Sequence, residues 1–76
     1  MLFKDKLRTV RALRDMTQQE LCNLLNVQPS IVGKLETGMI SPSPELEVQI
    51  RRALNWAPWM DALLEQIEAG KWEEQQ

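Results

Sequence analysis

Leu2, Phe3, Leu7, Val10 and Leu13 recur at spacings of three and four, which predicts a first helix from Leu2 to Arg14 with Lys4, Lys6, Arg8 and Arg14 on its outer face. Asp15-Met16-Thr17 breaks that period. Thr17 followed three residues on by Glu20 forms a capping box, so a second helix starts there, with Leu21, Leu24 and Leu25 as its buried stripe. Asn26, one of the few non-glycine residues that accept a left-handed backbone, stops it. Val27 turns inward, Gln28 stands at the next cap, and Pro29 takes the first position of a third helix, where its missing N–H costs nothing. Val32 and Leu35 continue the apolar stripe to a stop at Gly38. Met39-Ile40-Ser41-Pro42 then reads as a connection whose apolar tip packs against the fold or a partner. Ser43-Pro44 repeats the cap-then-proline signal for a fourth helix lined by Leu46, Ile50, Ala53 and Leu54. Trp56-Ala57-Pro58 ends it, because the residue before a proline is pushed out of the helical region. A fifth helix runs from about Pro58 to Ala69, with Trp59, Met60, Leu63, Leu64 and Ile67 on one side, Asp61, Glu65 and Glu68 on the other, and Gly70 closing it. No period-2 run of β-branched residues interrupts this series, so the expected class is all-α.

Composition narrows the picture in three ways. A chain of 76 residues with 43% hydrophobic and 26% charged residues encloses one globular core. The expected layout is a domain over residues 1–70 followed by a short acidic tail, 71–76, in which Trp72 is an expensive residue to leave in water. The net charge of -2 is unevenly spread. Residues 1–56 carry eight Lys/Arg against six Asp/Glu, while residues 57–76 set Lys71 against Asp61, Glu65, Glu68, Glu73 and Glu74. The acidic balance therefore belongs to the C-terminal part. Cys22 has no second cysteine to pair with, fits burial as a small apolar group, and suits a reducing cytoplasm. The N-terminal MLFKDKLRTV has neither a signal peptide's apolar stretch nor a membrane span. With no His or Tyr, no Cys pair and no Gly-rich phosphate loop, no metal, cofactor or catalytic role is expected.

The stretch from Thr17 to Gly38 is the informative one: two short amphipathic helices joined by a turn too tight for them to lie side by side. Close crossing asks for a small residue, which Cys22 supplies; the turn asks for Asn or Gly, which Asn26 supplies; Val27, Val32 and Leu35 hold the second helix of the pair against the first.

In these features the chain resembles the helix-turn-helix regulators of the phage repressor and Cro type, the Xre family. The resemblance covers about Leu7 to Leu54. Leu7-Arg8-x-x-Arg11, Met16-Thr17-Gln18-x-Glu20-Leu21, Val27, Leu35-Glu36-x-Gly38 and Pro42-Ser43 all fall at the family's spacing without a gap. It implies a compact five-helix, lambda-repressor-like DNA-binding domain with the helix-turn-helix at helices 2 and 3.

By the same resemblance, Gln18 meets a phosphate from the start of the second helix, and Gln28 pairs with adenine, reaches a phosphate, or only caps the recognition helix. Ser30 and Lys34 face the DNA one turn apart. Pro29 and Gly33 share that face by position but carry no base-reading group, and Met39 and Ile40 stand where relatives often place basic residues. Arg11 and Glu36 match the family's internal ion pair. Trp56, Trp59, Met60, Leu63 and Ile67 form either the lid of the small core or a seam to a second copy or a partner protein. The implied function is a sequence-specific, DNA-binding transcriptional repressor of a phage, plasmid or mobile element. It would act as a homodimer on a palindromic operator in double-stranded DNA, with recognition helices about 34 Å apart. The alternatives are an antitoxin-like autorepressor whose C-terminal helix holds a partner protein, and an interaction module that has lost DNA binding.

Overall fold

The structure, a computed structural model, describes residues 1–68, in which five helices follow one another: α1 (Phe3–Leu13), α2 (Gln18–Leu25), α3 (Ile31–Thr37), α4 (Pro44–Ala53) and α5 (Pro58–Glu68). Gly70, Trp72 and the acidic tail lie outside the described residues. No helix is long and apolar enough to cross a membrane among those described.

Each helix end has a local cause. Thr17 accepts the Glu20 backbone N–H while the Glu20 carboxylate accepts from the Thr17 N–H, completing the capping box at α2. Ser43 accepts from the Leu46 N–H at the start of α4, with Pro44 at the first helical position. Asp15, Asn26 and Asn55 take positive φ, at 54°, 56° and 50°, just beyond the ends of α1, α2 and α4. Their short polar side chains make that conformation cheaper for them than for most L-residues. Gly38, at φ 80°, does the same after α3, and a Cβ there would stand 3.2 Å from the Lys4 side chain.

Two boundaries differ from the sequence expectation. α4 ends at Ala53, short of Pro58, because the left-handed Asn55 has already turned the chain and lets the Trp56 N–H reach the Arg51 carbonyl. α3 begins at Ile31 and not at Pro29. Gln28-Pro29-Ser30 form the entering turn, in which the Gln28 carbonyl accepts from the Ile31 N–H, and Ser30 makes no side-chain cap.

The core comprises Leu7 and Val10 from α1, Leu21 and Cys22 from α2, Val32 and Leu35 from α3, Ile50 and Leu54 around the end of α4, and Trp56, Met60 and Leu64. Leu13 and Leu24, expected inside, are 65% and 61% exposed. At about 100° per residue, Leu13 lies well off the stripe of Leu7 and Val10, which Arg14 continues instead. Arg14 accordingly is not a free outer cation. It donates to the Leu54 and Asn55 carbonyls at 2.9 and 2.8 Å, where a cation also suits the C-terminal dipole of α4. On α2 the inward stripe is Leu21, Cys22 and Leu25, and Leu24 falls outside it. Met39 is exposed while its neighbour Ile40 packs on the core, so the apolar loop tip is divided.

Charge fastens α5 to the rest. Lys6, expected outside, reaches Asp61 at 3.2 Å and Glu65 at 2.9 Å, and Arg51 donates to Asp61 at 2.9 Å. The Arg51 guanidinium also lies 4.3 Å from the centroid of the Trp56 ring, which stacks with Phe3 at 5.6 Å. Burial alone would raise the Asp61 pKa; the hydrogen bonds from Arg51 and Lys6 outweigh it and hold the carboxyl below its ordinary value. Glu65 is held low as well, chiefly by Lys6.

Because folding favours the ionised form of these carboxylates, their contribution is fully present above the unfolded-state pKa and is lost as the pH falls through the folded value. Thermal stability should therefore drop between about pH 5 and pH 3, and Asp61→Asn should flatten that dependence. Melting curves across this range check it, and an unchanged pH slope in the variant would count against a stabilising role for these ion pairs.

Candidate nucleic-acid interface

The helix-turn-helix pair is positioned by a buried charge. Glu36, on the inner side of α3, is 5% exposed. Its carboxylate accepts from Arg11 Nε at 2.7 Å, from Arg11 Nη2 at 3.1 Å, and from the Gln18 side-chain amide at 3.0 Å. Arg11 Nη1 donates in addition to the Met16 carbonyl at 2.8 Å. One cluster thus joins α1, the turn after it, the first residue of α2, and α3. The fork of the guanidinium fits a carboxylate through two parallel bonds, and Glu36 raises the Arg11 pKa further above its ordinary value.

The turn between α2 and α3 is closed by similar economy. Cys22 is fully buried where the two helices cross, and its thiol donates to the Pro29 carbonyl at 3.3 Å. After Asn26 turns the chain, the Val27 N–H reaches the Cys22 carbonyl. A larger side chain at Cys22 would push α3 away from α2.

Outward from this framework stand Gln28, Pro29, Ser30 and Lys34, all exposed. Gln28, Pro29 and Ser30 occupy the turn entering α3, and Lys34 lies one turn further along. Lys34 has no ion-pair partner among the described residues. Such a set can donate to phosphate and to base edges. Gln18 is exposed too, but one amide N–H is committed to Glu36, which lays the side chain over α3 with its carbonyl oxygen 3.5 Å from where a Cβ on Gly33 would stand. That placement accounts for the glycine's half-buried setting, and it leaves the Gln18 carbonyl oxygen and second amide N–H free for a ligand. Thr37 was not singled out from the sequence. It lies seven residues after Ser30, on the same exposed stripe of α3, and its hydroxyl donates to the Lys34 carbonyl at 3.1 Å. The i, i+4, i+7 spacing of Ser30, Lys34 and Thr37 was the available signal.

The five residues of the expected seam separate. Trp56 and Met60 are 5% and 3% exposed and belong to this chain's own core, so neither offers a surface to a partner. Leu63 is half-buried, while Trp59 and Ile67 are 64% and 47% exposed on α5. Among the described residues no group of His, Cys, Asp and Glu is arranged to hold a metal ion.

A family model described as helix-turn-helix matches residues 7–56, which takes in α2, α3, α4 and most of α1 and stops before α5. No curated protein and no solved structure matches the chain.

Removing one partner from the Arg11–Glu36 pair should be far costlier than removing a surface ion pair, because the remaining charge stays buried. Arg11→Ala should destabilise the fold by about 3–5 kcal/mol, against about 0–1 kcal/mol for Arg8→Ala at the exposed Asp5 pair. Urea midpoints of the two variants give the comparison; equal losses would show that the cluster does not anchor α3.

Proposed function

We propose, on the premise that the chain belongs to the helix-turn-helix family of DNA-binding regulators and not to an enzyme family, that it is a transcriptional repressor acting as a homodimer on a palindromic operator. The observation that carries the reading is the exposed polar set of Gln28 and Ser30 in the entering turn and Lys34 on α3, a helix whose orientation is fixed by the buried Glu36. Lys34 reaches guanine or a phosphate. Gln28 reads adenine or touches the backbone from the entering turn, Ser30 adds a hydroxyl, and the free N–H groups and side chain of Gln18 meet a phosphate. Pro29 and Gly33 lie within the contact face and shape its closeness to the groove without reading bases. Repression needs no chemistry from such a protein, since occupancy of a site that overlaps a promoter is enough.

Support for the homodimer comes from α5, beyond the matched part of the chain. Trp59, Leu63 and Ile67 recur every four residues, and Trp59 and Ile67 are exposed to solvent. Large apolar side chains at that spacing fit a helix-to-helix seam, and aromatic residues are enriched at interfaces. A second reading, an autorepressor that holds a different protein on the same stripe, rests on the same observation.

Mobility shifts with duplexes from upstream of the coding region, repeated over a salt series, test the DNA reading. Six or more phosphate contacts should cost about a thousandfold in affinity between about 50 and 200 mM salt. Lys34→Ala should weaken binding by about 1–3 kcal/mol. Absence of any shift at low salt by a folded protein would falsify the regulator assignment. Trp59→Ser should convert a dimer to a monomer in light scattering without changing the melting temperature much. A wild-type monomer at micromolar concentration would leave the partner-protein reading for α5.

A further inference from the structure

Along α1, Lys4, Arg8 and Arg11 follow at spacings of four and three and so share one face, the face that turns towards α3. Arg11 is consumed by Glu36, and Arg8 is tied at 3.0 Å to Asp5 on its own helix. Lys4 has no carboxylate partner among the described residues. Its half-buried side chain nevertheless has a defined place, crossing the end of α3 at Gly38. A Cβ there would stand 3.2 Å from its Cδ and 3.7 Å from its Nζ.

We propose that Lys4 is a phosphate-binding residue, gripping the DNA backbone at the end of the recognition helix opposite to Gln28; this rests on the DNA reading above. The seven residues of α3 rise by about 10 Å, comparable to the major groove's width of about 12 Å, so both ends of the helix laid in the groove come near its phosphate walls. At the first end stands Gln28. At the other, the chain after Gly38 reads Met39-Ile40-Ser41-Pro42 and offers no cation. The fold brings one there from α1. Gly38 belongs to the same arrangement: its φ of 80° turns the chain off the helix, and the missing Cβ leaves the passage that the lysine stem occupies.

A cation near the last carbonyls of α3 would also suit that helix's dipole without touching DNA, and the salt dependence of binding separates the two roles. The experiment measures anisotropy of a labelled duplex of about 30 base pairs and arbitrary sequence over about 50–200 mM NaCl, with wild type, Lys4→Gln, Lys4→Arg and Arg52→Gln. Arg52 is exposed on α4 without an ion-pair partner among the described residues, so its variant changes the net charge equally at a site away from α3.

Lys4→Gln should lower the magnitude of the slope of log K against log salt by about 0.9, the loss of one phosphate contact, and weaken binding at the lowest salt. Lys4→Arg should retain the wild-type slope, and Arg52→Gln should leave it unchanged. A lower melting temperature with an intact slope in Lys4→Gln overturns the assignment in favour of a structural role, and equal slope losses in Lys4→Gln and Arg52→Gln overturn it in favour of net charge alone. If the wild type itself fails to bind at about 50 mM salt, the DNA reading falls and this inference with it; binding by the wild type with an unaltered variant slope removes only Lys4.

Discussion

A carboxylate taken out of water must be matched by charge and hydrogen bonds or the fold does not form, and Glu36 imposes that condition on three helices together. α3 has seven residues, too few to hold its shape in isolation. Its helicity and its direction are therefore borrowed from what surrounds it: Val32 and Leu35 packed into the core on one side, Glu36 clasped by Arg11 and Gln18 on the other. Since Arg11 also holds the Met16 carbonyl, the position of α2's first residue relative to α3 is set by the same cluster. Hydrophobic packing alone would permit small rotations of so short a helix; a bidentate pair with fixed angles permits far less.

The end of the molecule built from α5 follows a different logic. Formally it is acidic, and taken as a bare count its charges would repel DNA. In the folded chain Asp61 and Glu65 face Lys6, Arg51 and the amino terminus of Met1, which Glu68 also meets, so these negative charges are locally neutralised. The field they project is shorter in range than the count suggests. Trp56 stands at the centre of this joint, between Phe3 and Arg51, and its buried ring N–H has no acceptor among the described residues. The stacking with Phe3 and the cation contact from Arg51 hold the ring in that place.

Much of the fold was legible because its punctuation is chemical and local. Thr17 with Glu20, Asn26, Gly38 and Ser43-Pro44 each fix a backbone conformation within four residues, and no distant contact is needed to read them. The errors arose where angle or competition decides. Leu13 and Leu24 satisfy a loose three-or-four spacing yet lie off the stripe that meets the neighbouring helices. Pro58 is a valid stop, but Asn55 acts first. Of the candidate site, Cys22 was readable from the small residue that a close helix crossing needs, and Arg11 with Glu36 through their family spacing. That Gln18 folds over α3 could not be read, because it depends on where Glu36 stands in space. Trp56 and Trp59, three residues apart, received one expectation in the sequence, whereas one is sealed in the core and the other open to solvent.

Gly33 has a consequence for how such a chain can diverge. A methyl group there would meet Gln18 at an ordinary 3.5 Å, so alanine fits, and it would strengthen the helix by its higher propensity. A longer side chain would displace the glutamine and take from the buried Glu36 one of its three hydrogen bonds, leaving the two from Arg11. A single codon at this position therefore edits the vocabulary of the surface and loosens, by one bond of three, the grammar that holds it. Beyond alanine, a change of surface at this position is therefore coupled to stability through the carboxylate beneath it.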